Sequence, residues 1–109
     1  MLVMTKNEND LERKAYIFLT HGLFTIVDPE LYESLSRYKW YARMSSSRWY
    51  AVRYVRKGKK LYIIRMHRQI AKTQPGFVCH HKNGNSLDNR KKNLENMRRG
   101  LHDIVHWKS

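Results

Sequence analysis

The sequence predicts an α+β domain. A small antiparallel sheet with short helices occupies its N-terminal two thirds, and a strand–turn–strand–helix unit follows. Three observations predict this. Short β-prone runs separated by Gly- or Ser-containing turns recur between Tyr16 and Ile64, the pattern of consecutive hairpins. Two brief stretches with apolar residues at helical spacing interrupt them. Near the end, Phe77–His81 and Asn93–Met97 flank an Asn-Gly-Asn turn and lead into a last amphipathic stretch. At 109 residues the chain is one domain by length, with a modest core.

Residues 1–13 carry little periodicity and read as a loose arm. Tyr16–Thr20 and Leu23–Val27, separated by His21-Gly22, read as a hairpin, with His21 a turn residue of no chemistry. Asp28-Pro29-Glu30 is a helix start: Asp as N-cap, Pro at the first helical position, an acid in the first turn. Leu31, Leu35 and Tyr38 extend that helix through Glu30–Tyr38. Lys39–Met44 is a strand, ended by Ser45-Ser46-Ser47. Arg48–Arg56 alternates Tyr50, Val52 and Tyr54 on one face. Lys57-Gly58-Lys59 turns the chain, and Lys60–Ile64 pairs back.

Arg65–Lys72 reads as a short helix with Met66 and Ile70 inward, ended by Gln74-Pro75-Gly76. Phe77–His81 is the next strand. Asn83-Gly84-Asn85 is a turn, since Gly and Asn accept positive φ. Ser86–Lys92 is a loop, and Asn93–Met97 is the return strand. Arg98–Trp107 is a helix in which Leu101 and Val105 pack at i, i+4. The organisation is thus an arm over 1–13, a basic sheet region over 14–74 and a C-terminal unit over 75–109, the last two forming one compact unit.

Lys and Arg number 22 against 9 Asp and Glu, a net charge of +13. Residues 1–12 hold one of these bases and three of these acids, so the remainder carries +15. A field of that sign attracts polyanions. Aromatic residues interleave with Arg in Trp40-Tyr41-Ala42-Arg43 and Arg48-Trp49-Tyr50-Ala51-Val52-Arg53, which points to nucleic acid. The exposed sheet face is expected to carry Arg43, Arg48, Arg53, Arg56 and Lys60. Arg68, Arg90, Lys91, Lys92, Arg98 and Arg99 are further candidates for phosphate contacts. The single cysteine excludes an intramolecular disulfide. Cys79 is expected to be a buried small hydrophobe facing away from His80, the alternative being a soft metal ligand. No apolar run approaches the roughly 20 residues of a membrane span. Met1–Asp10 is polar and acidic, unlike a secretory signal. These features are compatible with a reducing cytoplasm.

Four of the six histidines lie between residues 80 and 106. His80 and His81 are adjacent on a strand, so they face opposite ways and cannot do the same job. His102 and His106 share a helix face and can grip one ion. Three ligands, His80, His102 and His106, with an open position describe a catalytic metal site rather than a closed structural one. No paired carboxylates accompany them, which argues against a carboxylate-rich two-metal site.

His80-His81-Lys82-Asn83-Gly84-Asn85, then Leu87-Asp88-Asn89-Arg90, then Asn93-Leu94 resembles the core of the HNH endonucleases, most of all their phage and intron-encoded, homing-endonuclease-like branch. The resemblance covers residues 77–107. It extends more loosely upstream through Leu19-Thr20-His21-Gly22, Lys39-Trp40 and Met66-His67-Arg68. It implies a C-terminal ββα-metal core, a hairpin and a helix around one divalent ion (Mg, Mn, Zn or Ni). It implies His80 as metal ligand, His81 as general base and His102 as a helix ligand. His106 fits the subset with two helix histidines. The resemblance places on Asn93 the asparagine that orders the loop and helps aim the base, with Asn89 the competing candidate. His67 is left with a packing or phosphate-contact role.

The implied function is metal-dependent hydrolysis of phosphodiester bonds in double-stranded DNA. No membrane or small-molecule cofactor is implied, and the setting is the cytoplasm of a bacterial host if the chain is phage-encoded. The alternative is a non-catalytic DNA-binding module with a structural zinc site, in which His81 is a fourth ligand or idle. A third reading is an RNA-binding protein built on the basic aromatic sheet.

Overall fold

The computed structural model describes residues 13–100. Within them the chain is a small α+β domain of seven strands in three antiparallel sheets with two helices. No helix among the described residues is long and apolar enough to cross a membrane.

β1 (Ala15–Phe18) and β2 (Phe24–Val27) form the expected first hairpin. Positive φ at His21 and Gly22 closes it. α1 (Pro29–Leu35) follows with Asp28 at its N-cap position and Pro at its start. It is shorter than expected, because its chain turns away at Ser36. The Leu35 carbonyl at the helix end accepts both the Tyr38 backbone N–H (3.1 Å) and the indole Nε1–H of Trp40 (2.8 Å). Asp28 departs from the expected side-chain cap. Its carboxylate instead accepts the backbone N–H of Lys91 (2.8 Å).

β3 (Tyr41–Ser45), β4 (Arg48–Lys57) and β5 (Lys60–Arg65) make the central sheet. Ser46 and Ser47, both at positive φ, form a two-residue turn between β3 and β4. Between β4 and β5, Gly58 supplies the positive φ (61°) that the tight connection needs. The first hairpin does not join this sheet. Instead, Ile26 makes a parallel bridge with Asp88. Its N–H donates to the Leu87 carbonyl (2.8 Å), and its carbonyl accepts the Asn89 N–H (2.7 Å). The expected single N-terminal sheet is therefore two sheets.

α2 (Met66–Ala71) ends in left-handed Lys72. β6 (Phe77–His81) pairs with β7 (Leu94–Arg98), joined through a loop with a 3₁₀ turn at Lys91–Asn93. Asn93 thus lies in that turn rather than opening the strand, and Arg98 ends the strand rather than opening a helix. The helix expected over Arg98–Trp107, with Leu101 and Val105, falls outside the described residues beyond Gly100. Of the expected ββα unit, the hairpin and the first helical residues after it, Arg99 and Gly100, are therefore described. The arm expected over 1–13 lies outside them as well, except for Arg13.

The core gathers Ala15, Ile17, Val27, Leu35, Trp40, Ala51 and Met66 from the first hairpin, α1, the connection into β3, β4 and α2. Ile70 packs at its edge, so the inward face expected for α2 is the observed one. Burying side chains such as Val27 and Met66 stabilises the fold by roughly 1.5–3 kcal/mol each.

Candidate functional site

β6 carries the two adjacent histidines into the interior on opposite faces. Register places Phe77, Cys79 and His81 on one face with Leu94, Asn96 and Arg98, and Val78 and His80 on the other with Met97 and Glu95. The first face turns toward α2. There the Asn96 amide donates to the Ala71 carbonyl (2.8 Å), and Cys79 Sγ approaches the His67 carbonyl (3.7 Å). His80 faces the other way and is buried.

His81 is buried among aromatic rings. Its imidazole lies 4.8 Å from that of His67 and 6.2 Å from the ring of Tyr50. Tyr50 and His67 also face each other, at 5.5 Å. His81 Nε2 is 2.8 Å from Asn89 Oδ1. Asn89 Nδ2 donates to Thr25 Oγ1 (2.9 Å), and Thr25 Oγ1 donates to the Leu87 carbonyl (2.8 Å). With its amide N–H committed to Thr25, Asn89 presents its oxygen to the histidine. Nε2 therefore carries the ring proton, and Nδ1 keeps its lone pair.

Electrostatics keep these rings neutral. Burial pushes the His81 pKa down. The Asn89 hydrogen bond and the Asp88 carboxylate pull it back only in part, and Arg48 adds to the lowering. His67 is pushed down to about 3, first by burial and then by His81, Arg68 and Arg65. Burial raises the Cys79 thiol despite opposing contributions from Thr73, Arg68 and Glu95. Cys79 is half-buried rather than fully buried, on the face away from His80 as expected.

The loop after β6 is held by its own side chains. Asn83 Nδ2 donates to Asp88 Oδ2 (2.9 Å), and Asn93 Oδ1 accepts the Asn83 N–H (2.9 Å). Asn93 Nδ2 donates to the Asp88 carbonyl (2.8 Å). Asn93 therefore orders the loop, while the hydrogen bond to His81 belongs to Asn89. The two tasks placed together on Asn93 are divided between two asparagines. Arg90 grips Asp88 with two hydrogen bonds, Nε to Oδ1 (2.8 Å) and Nη2 to Oδ2 (2.7 Å), and both side chains are buried. Burial raises the Asp88 pKa, but Arg90 and Asn83 more than offset it, and the carboxyl stays below its usual range.

Register also sorts the basic residues. Arg43, Arg48, Tyr50, Val52, Tyr54, Arg56 and Arg65 share one sheet face, while Ala42, Ala51, Arg53 and Lys60 share the other. The single stripe expected from Arg43 to Lys60 is thus split. Arg53 stacks its guanidinium 3.9 Å from the centre of the Tyr38 ring and donates from Nε to Gln69 Oε1 (2.9 Å). Arg90 is corrected from a backbone contact to a buried structural residue. Arg68 is half-buried and donates from Nη1 to the Phe77 carbonyl (3.0 Å), tying α2 to β6. Lys91, Lys92, Arg98 and Arg99 are exposed, and Arg98 lies 5.8 Å from the Phe77 ring centre. His21, at its turn, lies 4.9 Å from the ring of Trp49.

The first sheet face opens onto the histidines. A cavity of about 130 Å³ is lined by Arg48, Tyr50, His67, Val78, Cys79, His80, His81 and Ser86. It shares Tyr50, His67, Val78 and Cys79 with an open cleft of about 450 Å³, whose other walls are Ser45, Arg65, Arg68 and Arg99. The two make one basic trough ending at His81. Tyr50, Arg65 and Thr25 are not among the site residues that the sequence singles out. Arg65 reaches the face of Arg48 and Arg56 only through the pairing of β5 with β4, which sets it opposite Val52. Thr25 gives no local signal at all.

His102 and His106 lie outside the described residues, so His80 is the one expected ligand that is placed. Among the described residues no three His, Cys, Asp or Glu side chains come together as a metal-binding group. No protein-family model, curated protein or solved structure matches this chain.

Proposed function

We propose that the chain is a metal-dependent endonuclease of the HNH type that hydrolyses phosphodiester bonds in DNA, with His81 as the general base. The observation that carries this reading is the setting of His81. It is a neutral imidazole at the end of a basic trough, its Nε2 bound to Asn89 and its Nδ1 left as the acceptor. A general base needs both properties, a lone pair in reach of water and a pKa below the working pH. His81 takes a proton from the attacking water at Nδ1. Arg48, Arg65 and Arg99 along the trough hold the phosphate backbone by charge. Tyr50 and His67 wall the imidazole and exclude bulk water from its flank. His80, with His102 and His106, would hold one divalent ion, whose chemistry when bound is to neutralise the scissile phosphate and the departing 3′ oxygen. Imidazole donors suit zinc or nickel, while activity in enzymes of this type is often supported by magnesium or manganese.

Incubating the full chain with supercoiled plasmid and Mg, Mn, Ni or Zn in turn tests this. Nicking is expected with at least one ion. The rate should rise with pH through a value below that of an ordinary histidine and then level off, because the base must be neutral to act. DNA binding without nicking in any of the four metals would contradict the enzymatic reading and favour a non-catalytic binding module.

A further inference from the structure

We propose that Thr25, on the first hairpin, is a positioning residue that fixes the tautomer of His81 through Asn89. Thr25 is fully buried and stands 64 positions before Asn89 in the chain. Its hydroxyl oxygen lies 2.8 Å from the Leu87 carbonyl oxygen. Two oxygens at that separation require a proton between them, and only the hydroxyl has one to give. The hydroxyl can then only accept from Asn89, so the Asn89 amide turns its Nδ2 to Thr25 (2.9 Å) and its Oδ1 to His81. Rotating that amide by half a turn would face Oδ1 against an oxygen with no free proton. The imidazole meets an acceptor and keeps its proton on Nε2. The order of donors therefore runs from His81 to Asn89 to Thr25 to Leu87, with each group holding one role.

The rest of β2 grips the same loop. Ile26 exchanges backbone hydrogen bonds with Leu87 and Asn89, and Asp28 accepts from Lys91. The first hairpin is thus tied to the loop that carries Asn89, and Thr25 is the point where its side chain enters the chain of donors. The tautomer assignment stands on this geometry alone. Its effect on cleavage rests on the reading of His81 as the general base, since an imidazole in the wrong tautomer offers water an N–H where a lone pair is needed.

The test is nitrogen NMR of the histidine side chains in the metal-free full chain at mildly alkaline pH, with His81→Ala identifying the resonances. Wild type should show a protonated, pyrrole-type Nε2 and a pyridine-type Nδ1. Thr25→Val keeps the shape and removes the hydroxyl, so both nitrogens should move to intermediate, tautomer-averaged shifts. Thr25→Ser should restore the wild-type pattern. In cleavage, Thr25→Val should lower kcat on the order of 10–100-fold with KM unchanged, and Thr25→Ser should recover it. A wild-type His81 protonated on Nδ1 would overturn the proposal, as would Thr25→Val with wild-type shifts. If Thr25→Val does not fold, the wild-type and Thr25→Ser spectra decide: averaged shifts in Thr25→Ser also overturn it. The expected spectra without cleavage in any metal would remove the nuclease reading and leave the tautomer assignment standing.

Discussion

Between His81 and Leu94 the chain forms no strand and only one 3₁₀ turn, yet Asp88 and Asn89 are each 1 % exposed and Arg90 and Asn93 are buried beside them. The β4–β5 hairpin is paired to its last position, Lys57 with Lys60, yet beyond Val52 it exposes Tyr54, Leu61 and Tyr62 at 38–55 %. The difference teaches where order comes from in this molecule. A buried irregular segment has no ladder to satisfy its backbone polar groups, so side chains must do it. The side chains of Asn83, Asn85, Asp88 and Asn93 supply those bonds, and Asn89 spends its amide on His81 and Thr25. The hairpin has its ladder and needs few side-chain bonds, so its surface is left for other contacts.

If this contrast is right, the loop should fail far more steeply than the hairpin. Arg90→Ala leaves the Asp88 carboxylate buried without its guanidinium, and it should cost about 3–5 kcal/mol. Leu61→Ser at the exposed hairpin should stay within about 0.5 kcal/mol. Urea unfolding of both variants measures the gap. Equal costs would break the comparison.

Acid should act on the same buried region. His67 is neutral in the fold, with its pKa depressed from 6.5 to about 3, and His81 is depressed in the same direction. The unfolded chain binds those protons more readily, so stability is complete above about pH 6.5 and is lost as pH falls from there toward 3. Thermal unfolding across that window should show the loss, and His67→Phe should flatten it. An unchanged pH profile in His67→Phe would place the acid sensitivity elsewhere.

The smallest effects sharpen the contrast between the two sheet faces. Arg43→Ala and Arg56→Ala, on the face that opens toward the trough, should each lower the salt dependence of DNA binding by about one in slope. Arg53→Ala, on the opposite face and stacked on Tyr38, should leave that slope unchanged and lower stability instead. A slope change in Arg53→Ala equal to that in Arg56→Ala would erase the assigned faces.

Much of this architecture is legible in the sequence where local rules govern. The two-residue alternation of Tyr50, Val52 and Tyr54, the punctuation at Gly58 and Pro75, and the opposite facing of His80 and His81 all follow from strand geometry. The same alternation, applied to Arg53, already separates it from Arg48 and Arg56. What is not legible depends on contacts between distant segments. Asn89 and Asn93 are the same residue type four positions apart, and the path of the loop along β2 decides which one meets His81. Asp28 looks like a cap for its own helix, and only the arrival of Lys91 beside it shows otherwise. Arg90 reads as a phosphate contact in a basic loop until Asp88, two residues earlier, is seen to turn inward and take it along.

The central claim is that His81 is a general base rather than a ligand or a packing residue, and His81→Ala tests it most directly. Circular dichroism and plasmid nicking are to be measured on one preparation, with the wild-type chain in the same metal alongside. The account predicts an unchanged spectrum and a loss of nicking on the order of 10²–10⁴-fold, the range a positioned general base contributes. A folded His81→Ala protein that nicks at the wild-type rate would contradict it.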